Sequence, residues 1–110
     1  MISDQPCGIW PAELSGRNWP HADLSGMSLA GANCEGINLF GARLVRTSFS
    51  GANLLNAELS YSNATDANFG SANLDGCLLY RSETRGANFD RARVTPQSDI
   101  PGRKIVELCG

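Results

Sequence analysis

A five-residue period dominates this sequence and limits what the chain can fold into. From Ala12 to Pro96 the sequence divides, without insertion, into 17 consecutive pentapeptides. Nine of the 12 leucines occupy the third position, ten of the 12 alanines the first, and eight of the 12 glycines the fifth. A compositional bias alone would spread each residue type over all five positions, so the period reflects structure.

A period of five fits neither an α-helix nor a flat β-strand. On a helix, successive repeats would turn about the axis by roughly 140° and leave no continuous apolar face. On a flat strand, every second leucine would point to the opposite side. Positions one and three can both point inward if the residues between them are extended and the chain then bends. Gly, Ser, Asn and Asp in the second half of the repeat favour such a bend, so the pattern predicts a β-solenoid.

The spacing of the largest inward side chains predicts the number of sides. If four pentapeptides make one coil, residues 20 apart lie above one another. One inward column then contains Ile9, Leu29, Phe49, Phe69 and Phe89. A coil of three pentapeptides would place these phenylalanines in different columns. We therefore expect four sides and slightly more than four coils, with an outward column that contains Asn33, Asn53 and Asn73.

The motif Ala-Asn/Asp-Leu-x-x resembles that of the pentapeptide-repeat family over roughly residues 12–96, as in Ala22-Asp23-Leu24 and Ala52-Asn53-Leu54. The resemblance implies an all-β fold, a right-handed quadrilateral parallel β-helix of about four coils with short N- and C-terminal caps. We expect residues 1–96 to form this β-helix, with regular repeats from residue 12 and residues 1–20 as the N-terminal cap. Residues 97–110 would form a C-terminal tail or cap. The motif defines a fold and no active site.

The repeat is irregular near both ends. Arg17 and Trp19 occupy inward positions, although a buried unpaired guanidinium is costly and an indole is large for a channel lined by Leu and Ala. We expect Trp19 to belong to a lid and Arg17 to reach outward; the alternative is a Trp–Arg recognition patch. The tail contains Ile105, Val106 and Leu108. These residues either cap the last coil or mediate dimerisation through the C-terminal end, because an open solenoid end exposes unpaired backbone groups.

Residues that could carry catalysis or bind metal are sparse. The single histidine, His21, falls at an outward corner position, and the four cysteines include no Cys-x-x-Cys pair. Cys34 and Cys77 point inward, where thiols behave as small hydrophobic groups. A metal site would require Cys7, His21 and Cys109 to converge. We expect no catalytic residue, no metal, no cofactor and four reduced thiols.

One outward face has a composition that differs from the rest of the surface. It carries Phe40, Tyr61, Leu78, Tyr80 and Arg81, whereas outward positions elsewhere are mostly small, polar or charged. Aromatic residues beside an arginine are typical of the centre of a protein–protein contact. Single exposed aromatics are also common on protein surfaces and need no explanation. We expect these five residues to contact a protein partner or a second copy of the chain.

The charge and the hydropathy of the chain bear on its partners and its location. The net charge is -2 and the pI is about 5.2, which argues against nucleic-acid or membrane-surface binding. No stretch approaches the roughly 18 apolar residues of a spanning helix. The first residues, Met1-Ile2-Ser3-Asp4, lack the basic and apolar regions of a signal peptide, so we expect a cytoplasmic protein.

Two functions remain open. The first is a non-enzymatic interaction or scaffolding module, possible as a homodimer. The second follows from the resemblance, since some pentapeptide-repeat proteins mimic DNA and bind type II topoisomerases such as gyrase. B-DNA carries one negative charge per about 1.7 Å, so a mimic of four coils needs about a dozen. The net charge of -2, and a column in which Asp23, Arg43, Asn63 and Glu83 mix their signs, favour the first function.

Overall fold

The chain folds into a parallel β-solenoid. The computed structural model describes residues 13–94, and this range contains single-residue β-bridges and turns but no helix. Each bridge is parallel and joins two second-position residues that lie 20 positions apart, from Glu13–Asn33 to Asn73–Arg93. The chain therefore returns above itself after four pentapeptides, as the column of phenylalanines predicts.

A tight turn closes each pentapeptide. The N–H of a first-position residue donates to the carbonyl of the preceding third-position residue, as from Ala52 to Phe49 at 2.9 Å. The fifth-position residue has a φ between 58° and 76° at every repeat from Gly16 to Arg91. A positive φ at the third residue of a four-residue turn defines a type II turn, where glycine is favoured. The periodic glycines thus serve the turns.

Backbone hydrogen bonds link each coil to the coils on either side. The N–H groups of Leu54 and Asn56 donate to carbonyls of the following coil, both at 2.8 Å. The N–H of Asn53 donates to Ala32 of the preceding coil at 2.9 Å. The second, third and fifth positions of a repeat therefore bond along the solenoid axis, while the first position bonds within the turn.

The remaining backbone donor, at the fourth position, explains the asparagines. Asn53 Oδ1 accepts from the N–H of Leu55 at 3.2 Å, and Asn73 Oδ1 accepts from the N–H of Asp75 at 3.1 Å. The same side chains also bond between coils: Asn53 Nδ2 donates to Asn33 Oδ1 at 3.2 Å, and Asn73 Nδ2 donates to Asn53 Oδ1 at 3.3 Å. An amide can do both because it has donor and acceptor groups. The predicted asparagine column is confirmed.

Third-position side chains fill the interior of the solenoid. The rings of Phe49 and Phe69 stack with centroids 5.3 Å apart and planes 3° apart, and those of Phe69 and Phe89 with centroids 5.2 Å apart and planes 6° apart. Leu29 lies in the same column and is also buried. Alanines occupy most first positions and leave room for these larger groups. The predicted inward column is confirmed for its members within residues 13–94; Ile9 lies outside them.

A few first positions carry hydroxyl groups, and these are hydrogen-bonded. Buried Thr47 donates from Oγ1 to the carbonyl of Leu24 at 2.8 Å. Ser82 donates from Oγ to the carbonyl of Leu59 at 2.7 Å, and Ser62 lies 3.3 Å from Ser82. The polar exceptions to the repeat therefore leave these hydroxyls satisfied in the interior.

The first coil agrees with part of the expectation for the N-terminal end. Arg17 is exposed and its guanidinium lies 6.0 Å from the centroid of the Trp19 ring, which packs half-buried against the core. The rest of the predicted N-terminal cap (residues 1–12) lies outside the described residues. So does the predicted C-terminal tail, with Ile105, Val106 and Leu108. Residues 13–94 include no helix of the length and hydropathy required to cross a membrane.

Candidate functional site

The large hydrophobic side chains that the structure leaves exposed lie together. Within residues 13–94 these are Phe40, Tyr61, Leu78 and Tyr80, exposed to 36%, 51%, 40% and 48% respectively. All four belong to the face whose sequence predicts a contact surface, and Arg81 lies beside them. We call these five residues the aromatic corner. Val45 and Leu55, which are outward on other faces, are only half-exposed.

The turns place the rings at one edge of the solenoid. Phe40 and Tyr80 occupy the fourth position of their repeats, whereas His21 and Tyr61 occupy the fifth. His21, Tyr61 and Arg81 have positive φ values of 65°, 63° and 58°. Because fourth and fifth positions alternate from coil to coil, the aromatic side chains lie in a staggered column along the edge.

Successive rings of this column are in contact. The ring centroids of His21 and Phe40 lie 6.0 Å apart, those of Phe40 and Tyr61 5.2 Å, and those of Tyr61 and Tyr80 5.9 Å. The planes are inclined by 88°, 48° and 76°, so the contacts are edge-to-face or tilted. We call these four residues the ring column. Edge-to-face aromatic pairs contribute about 0.5–1.5 kcal/mol beyond burial, which fixes the orientation of otherwise exposed rings.

Glycine at one position makes room for the column. Gly41 has a φ of 70°, and a Cβ added there would lie 2.5 Å from His21 Nδ1. The imidazole of His21 therefore covers the backbone of the next coil and reaches the ring of Phe40. A side chain at position 41 would displace it.

A cation and a polar edge border the ring column. The guanidinium of Arg81 lies 5.6 Å from the centroid of the Tyr80 ring, and its Nε donates to the Tyr80 hydroxyl at 3.4 Å. Underneath, the N–H of Tyr80 donates to Ser60 Oγ at 3.2 Å, and the N–H of Ser60 donates to Glu58 Oε1 at 3.1 Å. No carboxylate among residues 13–94 forms an ion pair with Arg81 in this structure. Its charge is available to a ligand.

The sequence predicts the members of the aromatic corner but not the contacts between its rings. Placing the residues on a face requires only the repeat, whereas ring contact depends on the alternation of positions four and five. The signal for it is the spacing: Phe40 follows His21 by 19 residues, Tyr61 follows Phe40 by 21, and Tyr80 follows Tyr61 by 19. Unequal steps around 20 bring each ring between two others.

The described thiols are suited to packing rather than to chemistry. Cys34 and Cys77 are buried and unpaired. Burial raises the pKa of the Cys34 thiol to about 12 and also raises the pKa of the Cys77 thiol. Both groups are therefore protonated, and poorly nucleophilic, near neutral pH. No cluster of three or more His, Cys, Asp or Glu side chains that could hold a metal ion occurs in residues 13–94.

Charges on the neighbouring faces alternate in sign. Asp23, Arg43, Asn63 and Glu83 form one bridged column, and Arg43 Nε lies 3.9 Å from Asp23 Oδ1. The hydrogen bonds that Ser25 donates, and the nearby Arg43, hold the pKa of Asp23 below its ordinary value. Arg93 Nε lies 2.8 Å from Asp75 Oδ2 on another face. The described surface therefore carries no continuous acidic stripe.

Comparison with known families agrees with the repeat. A family model described as pentapeptide repeats matches residues 12–44 and 42–79, with eight copies. No curated protein matches the chain.

Solved structures with the same fold come from several sources. A pentapeptide repeat protein from the Arabidopsis thaliana thylakoid lumen is 27% identical, with a TM-score of 0.77 over 89% of this chain and 74% of its own. One from Nostoc PCC 7120 is 23% identical, with a TM-score of 0.72 over 89% of this chain and 94% of its own. QnrB1, a plasmid-mediated fluoroquinolone resistance protein, is 18% identical, with a TM-score of 0.61 over 79% of this chain and 52% of its own.

Proposed function

The chain belongs to the pentapeptide-repeat family, and from this premise we propose that it is a non-enzymatic protein–protein interaction module whose contact surface is the aromatic corner. Members of such a family are solenoids that present side chains along flat faces, and their function lies in what those faces carry. A cytoplasmic location belongs to the same proposal.

A single observation carries this proposal. The exposed large hydrophobic residues within residues 13–94 fall on one edge of the solenoid, and a cation lies at the end of their column. Tyr and Arg are the residue types that dominate binding energy at protein contacts. Contact between successive rings also limits their motion, so that less side-chain entropy is lost on binding.

We also propose the finer features of the fold. The solenoid is right-handed, has four sides and contains about four coils, with residues 1–20 and the tail after residue 96 as caps. Trp19, Ile105, Val106 and Leu108 contact the ends of the solenoid or a second copy there. Self-association through the aromatic corner or the C-terminal end is the form of the proposal in which the partner is the chain itself.

The test of the proposed function removes the three rings together. In the variant Phe40→Ser/Tyr61→Ser/Tyr80→Ser, a partner captured from the native host by the wild-type protein is lost, or the mass of a self-associated form in solution falls to that of one chain. The matched control is Val45→Ser/Leu55→Ser, which removes two apolar side chains from other faces and retains binding. Unchanged capture and unchanged mass in the triple variant would contradict the proposal.

A type II topoisomerase is the alternative partner. The fold is shared with QnrB1, which is named for fluoroquinolone resistance, but at 18% identity this likeness concerns the fold alone. The charge pattern opposes DNA mimicry, because the bridged column from Asp23 to Glu83 alternates in sign and the net charge is -2. We expect DNA supercoiling by gyrase to proceed at the same rate with and without the protein. Inhibition, or protection from a quinolone in the same assay, would favour the alternative.

A further inference from the structure

The ring column is too small for a large interface. From their exposed fractions, the apolar residues of the aromatic corner leave on the order of 300 Å² of surface for a partner. A stable contact between two folded proteins buries about 800 Å² on each side. Isolated patches of a few hundred Å² on monomers are nevertheless often functional. The area fits a short peptide better than a second folded surface.

The tilt of the rings restricts the class of ligand. Stacking of nucleobases uses the open face of an aromatic ring. In the ring column, successive planes are inclined by 88°, 48° and 76°, and each ring already contacts its neighbour. The column therefore presents ridges and hollows rather than a flat platform. Such a surface accepts compact apolar rings, and the pyrrolidine of proline is the compact apolar ring of a peptide.

The dimensions agree with an extended proline-rich peptide. Phe40 and Tyr80 lie two coils apart, which is about 10 Å along the solenoid axis. A polyproline II helix advances about 3.1 Å per residue and has three residues per turn, so one turn covers nearly the same distance. Residues one turn apart on such a peptide would face Phe40 and Tyr80, with Tyr61 between them.

The polar groups of the corner match the remaining needs of this ligand. A polyproline II peptide makes no internal hydrogen bonds, so its carbonyls require donors. The hydroxyls of Tyr61 and Tyr80 are donors on exposed side chains. At one end of the column Arg81 has the Tyr80 hydroxyl as its polar partner and no ion pair with a carboxylate within residues 13–94. A carboxylate on the peptide would supply that pair.

We propose that the aromatic corner binds a proline-rich peptide in the polyproline II conformation, with an acidic residue at the end that lies against Arg81. This inference rests on the proposed function, because it names the class of partner that the same surface takes. The peptide lies along the solenoid axis, its prolines fill the hollows between Phe40, Tyr61 and Tyr80, and its carbonyls accept from the tyrosine hydroxyls.

The experiment uses synthetic peptides and isothermal titration with the full chain. An oligoproline with one terminal glutamate binds, and a Gly-Ser peptide of the same length and charge does not. Both orders of the sequence, with glutamate first and with glutamate last, are measured. The variant Arg81→Gln weakens the glutamate-bearing oligoproline several-fold and leaves the uncharged oligoproline unchanged, whereas the control Arg91→Gln, at a different corner, leaves both unchanged.

A second variant separates loss of binding from loss of folding. Tyr61→Gly removes the central ring and at the same time places glycine where φ is 63°, so the turn is relieved rather than strained. Its affinity for the oligoproline falls about tenfold or more, while its thermal midpoint is equal to or above that of the wild type. Arg46→Gly makes the same backbone change at another corner and binds normally.

Several outcomes would overturn this inference. They are the absence of oligoproline binding by the wild type, equal binding of the Gly-Ser peptide, and unchanged affinity in Tyr61→Gly. Ring-dependent dimerisation without peptide binding, or binding of single-stranded DNA instead, would also overturn it. If oligoproline fails but the captured host partner is still lost in the triple serine variant, the peptide class is wrong and the interaction module stands. If capture is also unaffected, the proposed function itself is wrong.

Discussion

At the fifth position of the repeat, eight described residues other than glycine adopt φ values between 58° and 65°. For a residue with a Cβ, the left-handed region costs roughly 1–2 kcal/mol. The coils tolerate these residues because the turn is held on both sides, by the bond across it and by the fifth-position N–H that donates to the next coil. At Arg46, for example, this N–H donates to the Thr65 carbonyl at 2.9 Å. The strain is therefore stored in the turns and can be relieved without touching the core.

Glycine at position 46 tests this strain. We expect Arg46→Gly to raise the free energy of unfolding by about 0.5–1 kcal/mol, since relief of the left-handed strain exceeds the added entropy of the unfolded chain. Chemical denaturation measures the change. The control Arg46→Ala removes the same side chain but keeps a Cβ, and it should give no gain. Equal stability of the two variants would contradict the argument.

The buried thiols predict a loss of stability in alkali. A thiol in the unfolded chain has a pKa of about 8.5, whereas burial raises the pKa of Cys34 to about 12 and also raises that of Cys77. The folded state holds these protons more tightly, so their stabilisation is complete below pH 8.5 and is lost as the pH rises toward 12. Each thiol should cost about 2 kcal/mol by pH 10.

The measurement is the urea midpoint as a function of pH. The variant Cys34→Ala/Cys77→Ala is less stable at pH 7, because two buried groups are shortened, but its midpoint should fall less steeply between pH 8.5 and 10. Parallel curves for the wild type and the variant would show that burial does not hold the protons.

The element that repeats is the pair of ladders that flank each bridge, one of backbone and one of amide side chains. Asn53 is an inner member of the amide ladder: it donates to Asn33, and it accepts both from Asn73 and from the N–H of Leu55. An inner rung therefore serves two neighbouring coils as well as its own turn. Asn18 is recorded with a single such bond, from Asn38 Nδ2 at 2.6 Å.

Truncation of these two asparagines should have unequal effects. Asn53→Ala removes three hydrogen bonds at a half-buried site and should lower the free energy of unfolding by about 1–3 kcal/mol. Asn18→Ala should cost less than about 1 kcal/mol. Asn53→Asp keeps the acceptor but loses the donor, so its stability should lie between those of the wild type and Asn53→Ala. Thermal denaturation ranks the variants, and equal losses at positions 18 and 53 would contradict the ladder.

Much of the fold could be predicted from the sequence because its period is both chemical and geometric. The positions of Leu, Ala, Gly and Asn fix which side chains point inward, where the chain turns and which residues stack. The members of the aromatic corner follow from the same register. The contacts between its rings do not, since they depend on the side-chain conformations of Phe40, Tyr61 and Tyr80 and on small offsets around 20 residues. Binding chemistry has no period, so the repeat says nothing of the ligand.

At the scale of the whole molecule, each coil contacts only its neighbours, and stability is the sum of local terms. The stack of Phe49, Phe69 and Phe89 runs through the interior and joins these local terms. Phe69 lies in the middle of the stack and is fully buried, whereas Phe89 is 6% exposed at its end.

Truncation of the central phenylalanine should affect more than one coil. Phe69→Ala leaves a cavity between two rings and should cost about 3–5 kcal/mol, and Phe89→Ala should cost less. Hydrogen exchange should then show faster exchange at amides that bond across the affected coil, such as the N–H of Phe49, which donates to Asn68. Equal losses at the two positions, or faster exchange restricted to residue 69, would contradict coupling through the stack.

The 20-residue spacing of the bridges also governs which insertions and deletions the chain can accept. Removal of a single pentapeptide keeps the inward pattern of leucine and alanine, so a core can still form, but every later repeat moves to the adjacent side. A deletion between Phe40 and Tyr61 would thus separate the rings while leaving a foldable solenoid. Removal or duplication of 20 residues restores each side chain to its own side and changes only the length of the column. Surface patterns in such a chain can therefore lengthen and shorten during descent in whole coils, and shorter changes in length would preserve the fold while erasing the binding surface.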